Sequence, residues 1–184
     1  MKNEINKKRR VCIFCGSKLP NQAKYKKFSL QLAEILTSQS FDLVYGGAKV
    51  GLMGEIANSF LSLGAEVIGI IPEELKKMEV AHDNLTELHV VEGMHKRKEL
   101  MYKMSDIFLV IPGGLGTMDE FFEILTWKQL GFHNKPILLF NFEGYYEHLK
   151  KFIERAHYEG FVSQEHMELI KVFNTFDDLR FMSI

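Results

Sequence analysis

The chain lacks any run of the roughly eighteen consecutive apolar residues that a bilayer-crossing helix requires, and it starts without an apolar core followed by a cleavage site. Those absences exclude a membrane-spanning reading and point to the cytoplasm. An excess of one charge is missing too: 23 Lys and Arg against 24 Asp and Glu leave a net charge of -1. Neutralising a nucleic-acid backbone takes a large basic surface, so that role is excluded. Cysteine is scarce, with Cys12 and Cys15 alone in a C-x-x-C spacing. They lie in Val11–Cys15, an apolar stretch that reads as a buried strand, where positions i and i+3 face opposite sides. No second Cys/His pair stands at zinc spacing, so both read as core thiols. The seven histidines form no His-Glu-x-x-His or other close pair, and no metal is assigned. Internal repeats, low-complexity segments and long linkers are absent as well.

What remains is a chain of 184 residues, 46% hydrophobic, long enough for one well-buried domain and short for two. Lys7-Lys8-Arg9-Arg10 reads as the end of a solvated basic tail over residues 1–10, ahead of a single domain over 11–184. Apolar runs of strand length recur at Val11–Phe14, Asp42–Tyr45, Val67–Ile71, Leu88–Val91, Ile107–Ile111 and Ile137–Phe140, most of them separated by amphipathic stretches of helix length. Continuous apolar character means strands covered on both faces. The expected fold is therefore α/β: a doubly wound, mostly parallel, Rossmann-like sheet with helices on both faces. Beyond Pro136 the sequence predicts a further strand, a helix from about Tyr145 to Tyr158, a short apolar run around Leu169–Val172 and a closing helix from Thr175. No catalytic signature is visible there.

A doubly wound sheet binds ligands beyond the C-terminal ends of its strands. Three polar or glycine-rich stretches fall there: Gly16-Ser17-Lys18, Gly46 to Gly54, and Pro112-Gly113-Gly114-Leu115-Gly116-Thr117-Met118-Asp119-Glu120. The last joins an apolar run to an amphipathic stretch beginning near Thr117. Glycines allow close backbone approach, and the first amides of a helix are unpaired, so an anion such as phosphate fits there. The same residues have a plainer reading: Thr117 and Glu120 stand at the spacing of a capping box. A cap needs none of the three glycines. Gly46–Gly54 lacks a Gly-Lys-Ser/Thr ending and the Gly-x-Gly-x-x-Gly fingerprint. It reads either as a tight turn with close helix packing through Gly51 and Gly54, or as the wall of a nucleotide or sugar-phosphate pocket.

On the helix predicted from Gly93, Met94, Arg97 and Met101 share a face by their 3–4 spacing, although spacing alone makes Arg97 a solvated helix charge. Ser17 lacks the Gly-x-Ser-x-Gly elbow and reads as a phosphate or hydroxyl contact. Glu120 and Glu123, one turn apart, could face one pocket, or serve only as favourable charge near a helix start. Phe121–Trp127 reads as core, with interface as the other possibility.

Taken together, Met94-His95-Lys96-Arg97-Lys98 and Pro112 to Glu120 resemble the paired signature of the LOG family, the cytokinin riboside 5'-monophosphate phosphoribohydrolases. The family motifs, Met-His-x-Arg-Lys and Pro-Gly-Gly-x-Gly-Thr-x-x-Glu, both match in full. Cys15-Gly16-Ser17 and Gly46 to Gly54 extend the resemblance over roughly residues 11 to 180. Ala48 stands where many members have a third glycine, and Lys18 where they have a second serine. The resemblance implies hydrolysis of the N-glycosidic bond of adenosine-type 5'-monophosphates, with AMP or an N6-substituted relative as substrate, and no cofactor. It implies catalytic roles for Arg97 and Glu120. Substrate contacts would come from Gly16, Ser17, Gly46, Gly47, Met94, Lys98, Gly113, Gly114, Gly116, Thr117 and Glu123. A homodimer or larger assembly is also implied. A non-catalytic nucleotide-binding module is the competing class. Lysine decarboxylation, a label many relatives carry, fits poorly, because no lysine is marked as a pyridoxal-phosphate anchor.

Overall fold

The computed structural model describes residues 8–18, 20, 23–78 and 80–180. The strands follow the order β4-β3-β2-β1-β5-β6-β7 in a seven-stranded sheet. By its contacts the chain divides into two compact units, Met1–Cys12 with Lys18–Asp106, and Ile13–Ser17 with Ile107–Ile184.

The first unit carries most of β1 (Arg9–Phe14), then α1 (Lys24–Ser38), β2 (Phe41–Tyr45), α2 (Gly51–Ser62), β3 (Val67–Pro72), α3 (Glu73–Lys77), β4 (Glu87–Val91) and α4 (Gly93–Met104). Its strand pairs are parallel, with Val11 opposite Leu43, Leu43 opposite Val67 and Gly69 opposite Leu88. β2 and β3 are buried throughout, which explains their unbroken apolar runs. Asp42 is the exception, and it is buried because its charge is satisfied. Its carboxylate accepts from the Glu66 amide at 2.9 Å and from Lys8 Nζ at 3.3 Å. Helix α1 buries Tyr25, Phe28, Leu32, Ile35 and Leu36, and α2 buries Leu52, Ile56 and Phe60. These are stripes of helical period.

The tail expected over residues 1–10 does not extend to Arg9 and Arg10. Residues 1–7 lie outside the described residues, whereas Arg9 and Arg10 belong to β1. The Arg10 amide donates to Asp106 Oδ2 at 2.7 Å, and the Asp106 amide returns a bond to the Arg10 carbonyl at 2.8 Å. Arg9 lies over the Phe41 ring at 4.8 Å. Ladder bonds and partners thus draw these basic residues out of solvent.

The second unit holds the end of β1, β5 (Ile107–Val110), α5 (Leu115–Gln129), β6 (Ile137–Phe140), a 3-10 turn (Phe142–Gly144), α6 (Glu147–Tyr158), α7 (Gln164–Met167), β7 (Ile170–Phe173) and α8 (Phe176–Arg180). β6 pairs parallel with β5 on one side and with β7 on the other. The run read only as a short apolar segment near Leu169 is thus a strand. Pairing along β6 decides its conformation, since four residues carry too little periodic signal. His133 is buried against the Phe108 ring, 5.7 Å between centroids, and its ring bonds the Ile124 carbonyl and the Lys135 amide. Burial holds its pKa below the usual 6.5. Cys12 and Cys15 are both buried, as expected of core residues.

Candidate functional site

In the first unit, β2 ends at Tyr45 and the chain turns through Gly46-Gly47-Ala48 before α2. Gly47 sits at φ +76°, a conformation L side chains rarely adopt. The turn is tied by an antiparallel bridge between Ala48 and Ala81, with the Lys49 amide donating to Val80 and the His82 amide to Gly47. Each carbonyl of the turn is taken up by protein. Gly46 accepts from Arg97 Nη2 at 3.4 Å, Gly47 from the His82 amide at 2.9 Å and Ala48 from the Tyr45 hydroxyl at 3.2 Å. Gly51 and Gly54 play the packing part: Gly51 lies at φ +68°, and a Cβ on Gly54 would stand 2.1 Å from the Lys49 carbonyl oxygen.

Arg97 is not the solvated charge that its basic neighbours suggest. It is 7% exposed on α4. Its Nε donates to the Ile70 carbonyl at 3.1 Å and its Nη1 approaches Met94 Sδ at 3.7 Å. A Cβ on Gly46 would lie 1.9 Å from Nη2, so the glycine exists to admit the guanidinium. Met101 is buried beside it on the helix, Met94 is 43% exposed and Lys98 half-buried. The shared face read from the 3–4 spacing therefore runs from a buried end to an open one.

In the second unit, β5 leads into Pro112-Gly113-Gly114 and then α5, whose N-cap is Gly114 with no side-chain cap bond. The capping box is therefore not formed. Thr117 lies inside the helix, 3% exposed, and Glu120 one turn on is 7% exposed. The helix starts at Leu115, two residues before its predicted start, which carries both residues inward. A Cβ on Gly113 would meet Thr117 Oγ1 at 2.1 Å and the Gly16 amide nitrogen at 2.8 Å. Gly16 itself donates to the Pro112 carbonyl at 3.2 Å, so its amide braces the turn, while Ser17 is exposed. Gly114 and Gly116 have open space where a Cβ would go.

Glu123 takes a different place from Glu120. It is half-buried and lines a groove of about 520 Å³ with Leu115, Met118, Asp119, Phe122 and Trp127, and Glu120 is not on that wall. The aromatic stretch divides likewise: Phe121 is core, whereas Phe122 is 37% exposed. Among the described residues no group of three or more His, Cys, Asp or Glu could hold a metal ion.

Sequence reasoning missed Tyr145 and Tyr146, whose hydroxyls donate to the Gly113 and Ile111 carbonyls, both at 2.8 Å. The paired tyrosines after Gly144 were the available signal. It missed His82 as well. That ring accepts from the Asn84 amide at 3.2 Å, leaving its other nitrogen to donate to Asn58 at 3.1 Å, and burial lowers its pKa. Nothing local marks it.

Residues 53–180 match a family model described as "Possible lysine decarboxylase". The chain is 46% identical over 161 residues to cytokinin riboside 5'-monophosphate phosphoribohydrolase LOG1 of Arabidopsis thaliana, covering 87% of this chain and 76% of that protein. It is 47% identical over 154 residues to the cytokinin riboside 5'-monophosphate phosphoribohydrolase of Rhodococcoides fascians, covering 83% and 78%. The chain belongs to the LOG family. Among solved structures, it resembles the molybdenum cofactor binding protein of Rippkaea orientalis, at TM-score 0.69 and 18% identity over 95% of this chain and 94% of that one. It also resembles the Moco carrier protein of Chlamydomonas reinhardtii, at TM-score 0.66 and 19% identity over 90% and 88%. At those identities the likeness shows the α/β fold. The two relatives named above are phosphoribohydrolases, although the family model carries the decarboxylase description.

Proposed function

We propose that this LOG family member hydrolyses the N-glycosidic bond of adenosine-type 5'-monophosphates, AMP and N6-substituted relatives, to the free base and ribose 5-phosphate. The observation that carries the reading is the interior position of Thr117 and Glu120 on an uncapped α5. A buried carboxylate one turn past a glycine turn supports a role beneath a ribose whose phosphate that turn would hold.

In this reading the amides of Gly113, Gly114 and Gly116 and the Thr117 hydroxyl hold the 5'-phosphate. The C1'–N bond breaks with its electron pair leaving on the base, and the ribose becomes an oxocarbenium-like cation. The Glu120 carboxylate stabilises that charge and orients a water, whose oxygen bonds C1'. Of the two water protons, one is needed to neutralise the departing base. Arg97 orients the substrate, and Gly16, Ser17, Gly46, Gly47, Met94, Lys98 and Glu123 bound it. Because phosphate binding fixes the ribose, nucleosides without phosphate react poorly. The working assembly is a homodimer or larger. The apolar surface of the second unit supports this: Leu115 is 91% exposed and Phe122, Leu130 and Phe132 stand out of the core.

The test is incubation with AMP and isopentenyladenosine monophosphate, beside both nucleosides and a Glu120→Gln variant, following free base by chromatography. Release from the monophosphates alone, lost in the variant, is expected. Monophosphate binding without release in the wild type makes the chain a nucleotide-binding module instead.

A further inference from the structure

The turn preceding α5 has every carbonyl spoken for. Ile111 accepts from the Tyr146 hydroxyl, Pro112 from the Gly16 amide at 3.2 Å, Gly113 from the Tyr145 hydroxyl and Gly114 from the Met118 amide at 3.1 Å. In a planar trans peptide the C=O of one residue and the N–H of the next point in opposite directions. Holding the Gly113 carbonyl on Tyr145 therefore fixes the opposite direction of the Gly114 amide. That peptide lies between two glycines, so nothing in its own sterics prevents it from turning over. Turned over, it would present a carbonyl oxygen where an anion needs a donor.

The two tyrosines are brought there by the end of β6. The Asn141 amide bonds the Phe173 carbonyl at 2.7 Å, and its side-chain oxygen accepts from the Tyr146 amide at 2.7 Å. Between them the chain reverses through Glu143 and Gly144, both at positive φ. The rings stand edge to face, 4.9 Å between centroids. Tyr146 is buried, whereas Tyr145 is 48% exposed. Tyr146 thus anchors the pair while the exposed Tyr145 reaches the turn.

We propose that Tyr145 is a positioning residue for phosphate recognition: its hydroxyl locks the Gly113–Gly114 peptide with the amide, not the carbonyl, toward the 5'-phosphate. The assignment rests on the phosphate role given to this turn above. It differs from a packing role in what it predicts, because Tyr145→Phe removes one oxygen and leaves the ring.

The experiment compares wild type with Tyr145→Phe by steady-state base release from AMP, by calorimetric titration with ribose 5-phosphate and by thermal melting. Loss of one neutral hydrogen bond corresponds to about a three- to tenfold effect. The expected result is KM for AMP and Kd for ribose 5-phosphate both raised by that factor, with kcat within about twofold and an unchanged melting temperature. Unchanged KM and Kd overturn the proposal, as does a fall in kcat alone. A wild type that releases no base yet binds ribose 5-phosphate, more weakly in the variant, sinks the hydrolase reading and upholds the positioning role. If wild type binds neither ribose 5-phosphate nor inorganic phosphate, the turn is no phosphate site and the proposal falls with it.

Discussion

At the residue scale, Arg97 is held by geometry that only a guanidinium satisfies. Nε and Nη2 reach two different backbone carbonyls, Ile70 and Gly46, from one planar group. An ammonium in its place offers its donors from a single nitrogen and lacks the fixed planar fork that spans the two carbonyls. Arg97→Lys should therefore lower kcat/KM for AMP at least about 100-fold, and lower unfolding free energy by about 1–3 kcal/mol, the cost of an unsatisfied buried acceptor. Urea melts and base-release kinetics measure both. The two buried histidines set the pH response of stability. Desolvation is the largest cause at both and lowers each pKa from 6.5; Lys49 beside His82, and Lys128 and Lys135 beside His133, lower it too, against Asp83 and the Ile124 carbonyl bond. Between the folded value and 6.5 the unfolded chain binds more protons, so stability is full above 6.5 and declines as pH falls below it. The urea midpoint should drop from pH 7.5 to 5, and His133→Gln should flatten the slope.

At the scale of elements, the two glycine turns show how one residue type serves different ends. A Cβ on Gly46 meets the tip of the Arg97 side chain, whereas one on Gly116 meets nothing. Gly46→Ala should push the guanidinium aside, costing most of the activity while the fold persists. Gly116→Ala should stabilise α5 by about 0.5–1 kcal/mol, because alanine loses less entropy in a helix. If an anion approaches the backbone there, the same substitution raises KM for AMP; a KM equal to wild type would remove Gly116 from the phosphate contacts. The elements themselves were largely legible in sequence. The strand runs predicted from Val11 to Phe140 were found with ends shifted by at most two residues. β2, β3, β5 and β6 are buried throughout, which leaves an unbroken apolar signature, whereas β4 at the sheet edge is only half-buried, against the expectation that every run is covered on both faces. β7 was not, because a four-residue edge strand takes its conformation from its neighbour.

At the scale of the whole molecule, the division into two compact units falls inside β1. We expect one unfolding transition all the same, by calorimetry and by circular dichroism, since a continuous strand cannot melt halfway without losing ladder bonds in both units. Two separated transitions would refute the single-domain expectation. The exposed apolar surface around Leu115, Phe122, Leu130 and Phe132 predicts association. Light scattering behind size exclusion should report at least twice the 21.3 kDa chain, and Leu115→Gln combined with Phe122→Ser should shift it toward one. A wild type that elutes as a single chain at all concentrations would dispose of the dimer.

By itself the sequence determined the α/β class, the two motifs and the residue types able to bind an anion and support a cationic transition state, because these are written in local periodicity and spacing. Only the tertiary structure decided between the competing readings of the same residues. Whether Thr117 caps a helix depends on where α5 begins, and whether Arg97 is solvated depends on which carbonyls come within reach of its side chain. Tyr145 and His82 acquire partners more than thirty positions away in the chain. Such contacts follow from strand order and burial, and no window along the chain contains both ends of them.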